Sequence, residues 1–122
     1  MMSNMMVTQM MWVAAGGFPG AIARYVVGRA ISSRVPSDGI PYGTLTINVL
    51  GSFLIGLLWG HGPSQGEALL FGTGFLGAFT TFSTLKLESD ALFRAGKARS
   101  AWLYLGLSYT AGLLLAAAGY AL

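Results

Sequence analysis

The sequence predicts an all-α membrane protein with four transmembrane helices, and three observations carry that prediction. Of the 122 residues, 54% are hydrophobic and only 9% are charged, against roughly 25% charged in a soluble domain. Such a chain has too few charges to cover a surface in water. Its apolar residues gather into four long runs, each near the ~20 residues that a helix needs to cross a bilayer. Eighteen residues are glycine, which is commoner in membrane helices than in soluble ones. Four crossings nearly exhaust the chain, so it forms one transmembrane domain with no room for a soluble one.

The first run covers about 5–31 and the second about 42–59, after the turn-rich stretch RVPSDGIP. The lead MMSNMMVTQMMWVAA has no basic region before its apolar part, so it reads as the entry to the first helix rather than a signal peptide. The loop HGPSQGE precedes a third run at about 68–93, and RAGKAR leads to the fourth, at about 100–122. Small residues recur at four-residue spacing, Gly16, Gly20 and Gly28 in the first run and Gly56 and Gly60 in the second. This spacing lets helix backbones approach closely where lipid offers no hydrophobic contrast, and ordinary packing within one subunit explains it. Four crossings make a thin wall for a pore, so an oligomer is expected.

Cysteine is absent, which excludes disulfides, thiolate metal sites and cysteine nucleophiles. Gly72, Gly74 and Gly77 match the spacing of a dinucleotide fingerprint but lack its strand–turn–helix setting. His61 stands alone in a loop, and the chain shows no P-loop, zinc spacing or catalytic triad. The net charge of +3 comes from basic residues at the ends of apolar runs, where lipid headgroups lie. No enzyme activity and no nucleic-acid partner are expected.

The third run is different in kind. Its centre, GTGFLGAFTTFST, combines three glycines with five hydroxyl residues. Both Gly and β-branched Thr weaken a helix, so the spacing predicts a helix broken mid-membrane near residues 77–81. Irregular backbone at membrane depth survives only inside protein or beside a wet cavity, where its carbonyls and helix ends meet ions. This stretch is the expected functional site.

Three segments, GGFPGAIARYVVGR, PYGTLTINVLGSFLIG and GFLGAFTTFSTLKLE, resemble the Fluc/CrcB family of bacterial fluoride channels. The match takes in the first three runs in order, and the fourth fits by length and character. The resemblance implies a subunit of an antiparallel dimer in the bacterial cell membrane, exporting fluoride passively and so lowering its cytoplasmic toxicity. It also implies a structural, untransported sodium ion held at the break in the third helix by the backbone carbonyls of Gly77 and Thr80. Oxygen ligands suit a hard cation. Phe82 corresponds to a pore phenylalanine, whose ring has a positive edge that an anion can face; Phe79, three residues earlier, reads as a packing residue. Asn48 corresponds to a pore-side asparagine, with an interhelical hydrogen bond as the less favoured reading. Ser83 and Thr84 add hydroxyl donors to the ion pathway, and Thr81 is placed to cap the second half-helix. Arg24 corresponds to a basic residue that either draws anions to a vestibule or snorkels to the interface. Lys86 and Asp90 lie one turn apart and suit an ion pair.

The chain departs from the family pattern at Leu85, where a second phenylalanine is usual, at Lys86, where a small hydroxyl residue is common, and at Leu113, beside Gly112, where serine is usual. A non-conducting assembly subunit is therefore a further reading. A third is a small proton-coupled multidrug exporter, which needs an embedded carboxylate; Glu88 and Asp90 lie near the end of their run. Arg29, Arg34, Arg94, Lys97 and Arg99 flank the two loops that share a side, and no Lys or Arg stands on the other side. By the positive-inside rule both termini face outward. So strong a bias suits a partner in the form of an oppositely oriented paralogue, where an unbiased chain would pair with itself.

Overall fold

The computed structural model describes residues 3–34 and 39–122. Residues 35–38 of the turn-rich stretch and the first two of the lead lie outside the described residues. Every element described is helical: α1 (Asn4–Ser32), α2 (Tyr42–Gly60), α3 (Gln65–Arg94) and α4 (Ala98–Ala121). Three of them, α2, α3 and α4, are long and apolar enough to cross a membrane. α1 has 29 residues, ~44 Å at 1.5 Å per residue, but its sequence is interrupted by Asn4, Thr8, Gln9, Arg24 and Arg29.

Local sequence sets the ends. Ser3 caps α1, accepting a hydrogen bond from the Met6 N–H. α3 starts at Gln65, ahead of the expected position, because Ser64 and Glu67 form a reciprocal capping box: the Glu67 N–H donates to Ser64 Oγ (3.2 Å) and the Ser64 N–H to Glu67 Oε1 (3.0 Å). α3 stops at Gly96, whose φ of 77° suits a glycine closing a helix, while the Lys97 N–H reaches back to the Leu92 carbonyl (2.9 Å).

Within α3 the backbone changes character twice. Ala68–Leu76 is wound as a π-helix, a wider form that the sequence did not predict. Gly77–Phe79 returns to α, and Thr80 and Thr81 are then extended, with ψ of 156° and 111°. Helix resumes over Phe82–Arg94. The interruption expected across 77–81 is confined to two threonines, and Gly77 itself is helical.

Two pairings build the subunit, α1 with the first half of α3 and α2 with α4. Both are backbone-close. A Cβ at Gly16 or Gly20 would overlap the backbone at Leu70 or Phe75, and one at Gly56 or Gly119 would overlap Ala116 or Phe53. The four-residue glycine spacing thus serves packing within the subunit; Gly28 meets the Ile47 side chain. Two apolar clusters flank the interruption. Ile47, Leu76 and Phe79 form one, and Leu85, Leu92, Ala101 and Tyr104 the other.

Candidate functional site: the interruption in α3

Thr80 and Thr81 leave the helix; the Thr80 N–H still donates to the Leu76 carbonyl (2.9 Å), but the Thr81 peptide groups need partners from elsewhere. Asn48 on α2 supplies them. The Thr81 N–H donates to Asn48 Oδ1 (2.9 Å), and Asn48 Nδ2 donates to the Thr81 carbonyl (3.1 Å). One side-chain amide thereby serves both peptide groups of the residue at the break. Because Asn48 takes the Thr81 N–H, the i→i−4 bond that would occupy the Gly77 carbonyl in an unbroken helix is not made. Thr80 Oγ1 donates back to the Leu76 carbonyl (2.8 Å), closing the first half. Thr81 opens the second, its Oγ1 accepting from the Thr84 N–H (3.3 Å) and donating to Thr84 Oγ1 (3.0 Å). Thr84 keeps its own hydroxyl hydrogen for another acceptor.

Gly51, one turn beyond Asn48, makes the approach sterically feasible, since a Cβ there would overlap the Thr80 methyl. Nothing in the sequence singles it out among eighteen glycines.

Two clefts meet at Thr81. The larger, of about 380 Å³, is lined by Arg24, Arg29, Ser32, Thr44 and Thr84 together with Thr81. Its basic end is shaped in part by the Arg29 guanidinium, which donates to the Tyr25 hydroxyl (3.3 Å). The smaller, of about 200 Å³, is lined by Asn48, Ser52, Phe82, Leu85 and Ser108 as well as Thr80 and Thr81. Ser52 Oγ donates to the Asn48 carbonyl (2.8 Å). Ser108 Oγ is buried and has no hydrogen-bond partner among the described residues, although a helical serine has the carbonyl four residues back within reach.

The structure therefore brings Asn48, Thr80 and Phe82 to one cleft and Arg24 and Thr84 to the other. Phe82 is 66% exposed, whereas Phe79 is buried and stacks on Phe75 with ring centroids 5.8 Å apart. Ser83 is exposed and lines neither cleft; Gly77 is exposed as well. Leu85 is buried against Ala101 and Tyr104 while also edging the smaller cleft. Leu113 is 73% exposed, and the residue that α4 turns toward Ser52 is Gly112.

Two groups were not singled out from sequence. Ser108 is one. The other is Tyr104, whose hydroxyl donates to Glu88 Oε1 (3.2 Å) with Thr44 beside the phenol. Tyr104 is wholly buried and Glu88 partly so. Glu88 looks peripheral in a linear reading because its partner lies sixteen residues on, across a turn.

Residues 11–120 match the family model described as CrcB-like protein, Camphor Resistance (CrcB). The chain is 49% identical over 110 residues to a protein of Geobacillus kaustophilus named fluoride-specific ion channel FluC 1, covering 90% of this chain and 93% of that one. It is 46% identical over 107 residues to fluoride-specific ion channel FluC 2 of Bacillus cereus, covering 88% and 90%. A Deinococcus radiodurans protein named fluoride-specific ion channel FluC is 44% identical over 113 residues, covering 89% and 90%.

Proposed function

Since this chain belongs to the CrcB-like family, we propose that it is one subunit of a fluoride-specific ion channel in a bacterial plasma membrane, letting the anion run passively out of the cell. The names of its relatives support the ion. The observation in the molecule that carries the reading is Ser108, a buried hydroxyl without a partner among the described residues, in the same cleft as Asn48 and Phe82. An unmet buried hydroxyl costs ~1–3 kcal/mol, a cost that an arriving acceptor offsets. Fluoride is strongly hydrated and must exchange water's donors for the protein's; Ser108 and Thr84 offer hydroxyl hydrogens, and Phe82 offers its positive ring edge. The cations Arg24 and Arg29 raise the local anion concentration at the wider cleft.

In this reading α1 is the fourth crossing, its length making up for its lower apolarity. The pore is completed by a second, antiparallel subunit, which covers the exposed Phe82 ring. The Gly77 and Thr80 carbonyls hold a structural sodium ion where the two subunits meet. The chemistry fits, because the break frees the Gly77 carbonyl from its helical bond and neutral carbonyl oxygens suit a hard cation. The ion would brace the interruption and would not itself move. The five basic residues on one side favour an oppositely oriented paralogue as the second subunit.

The test is fluoride efflux from loaded liposomes, with the chain alone and with such a paralogue. Efflux is expected in at least the paired preparation, and Ser108→Ala should slow it about tenfold, the worth of one hydrogen bond. Absence of efflux from both preparations would sink the channel reading. A C-terminal reporter should read external; equal signals from both sides would favour pairing of the chain with itself.

A further inference from the structure

The outward face of α4 carries a feature that neither the packing nor the ion path uses. α4 buries Ala101, Tyr104, Ser108 and Gly112. At ~100° per residue, Arg99, Trp102, Leu103, Gly106 and Thr110 fall on the opposite side, and they line an open groove of about 550 Å³. Gly106 forms its floor, with nothing among the described residues within 4 Å of the place a Cβ would take. The groove is apolar along its length except for the Thr110 hydroxyl and one cation, Arg99, at its end. Beside it Trp102 is held edge-on by Phe93, with ring centroids 5.4 Å apart. From residue 91 onward the chain contains Arg94, Lys97 and Arg99 but no Asp or Glu. The acids nearest in sequence, Glu88 and Asp90, lie on α3, so α4 itself supplies Arg99 with no counter-charge.

We infer that this groove binds an anionic phospholipid, its phosphate on Arg99 and one acyl chain along Leu103, Gly106 and Thr110. Length and charge both select that occupant. From Arg99 to Thr110 the helix rises ~16 Å, close to the ~15 Å hydrocarbon depth of one leaflet. Trp102 then stands at headgroup level, where tryptophan is enriched. A second protein helix would match the apolar floor, but α4 itself holds no acid to balance Arg99, and such a helix would have to bring one of its own.

The test uses the full chain with Trp12→Phe and Trp59→Phe, so that Trp102 is the sole tryptophan. It is placed in phosphatidylcholine vesicles containing either brominated phosphatidylglycerol or brominated phosphatidylcholine as the quencher. Half-maximal quenching is expected at about fivefold less of the anionic lipid, the worth of one cation near an anionic surface. Arg99→Gln should abolish that preference, and Lys86→Gln, a cation on α3, should leave it intact. Inorganic phosphate in the buffer should not compete. The inference is overturned by equal quenching from both lipids, by a preference that survives Arg99→Gln, or by competition from phosphate. Absence of quenching by either lipid overturns it too, since protein would then cover the face.

Discussion

The two halves of α3 are fixed to the subunit by different means. Residues 68–79 lie against α1 backbone to backbone, through Gly16, Gly20 and Gly74, and include the π-wound stretch. Phe82–Arg94 is an ordinary amphipathic helix that buries Leu85, Ser89 and Leu92 and docks on α4 through side chains. A backbone-close contact leaves no room for adjustment, whereas a side-chain contact can repack when one residue changes. The site lies between the rigid half and the adaptable one. Polar groups with spare hydrogen-bonding capacity gather there because neither half's packing has absorbed them.

That contrast is open to attack from three directions. The largest effect is expected on the rigid side. Gly16→Val places a branched side chain where the Leu70 carbonyl and Phe75 N–H lie, and should cost about 3 kcal/mol in unfolding from mixed micelles. A cost under half of that would mean that α1 and α3 can slide apart, and the claimed rigidity would be lost. A smaller effect is expected at the joint. Asn48→Leu removes both bonds to Thr81 and should cost about 2 kcal/mol, with hydrogen exchange at the Thr81 amide rising well above that of its helical neighbours. Unchanged exchange would mean that some other group satisfies the break. The smallest effect on stability belongs to Phe82→Ile. In the unassembled chain, where this side chain is exposed, the exchange should shift unfolding by less than about 0.5 kcal/mol. Fluoride flux should nonetheless fall sharply as the polar ring edge is lost. Flux that survives would remove the second half of α3 from the ion path.

The interruption could be read from sequence because its cause is local: Gly and Thr crowd into a few residues of an apolar run, and Thr81 is followed three positions later by the Thr84 N–H that it caps. Its repair could not, since Asn48 and Thr81 are thirty-three residues apart and any polar residue on a neighbouring helix would have served a linear reading as well. The π-winding of Ala68–Leu76 escaped as well, because residue propensities tell helix from non-helix and not π from α. The departure at Leu113 is a matter of helix register. α4 turns residues 101, 104, 108 and 112 inward, so Gly112 faces α2 and Leu113 faces away. Of the residues assigned from resemblance, Asn48, Thr80, Phe82, Thr84 and Arg24 line the clefts at the break, and Ser83 does not.

Position 51 and position 80 share the space of a single methyl group. The chain places that carbon on the threonine and none on the glycine, but the volume itself favours neither arrangement. Gly51→Ala should damage the subunit, and Thr80→Ser should open a small void. Together, the pair would move one carbon from α3 to α2 and return the contact to nearly its original fit. The two residues are therefore a coupled locus, in which each tolerates only what the other permits. A survey of single changes would score alanine at 51 as forbidden when it is forbidden only opposite threonine.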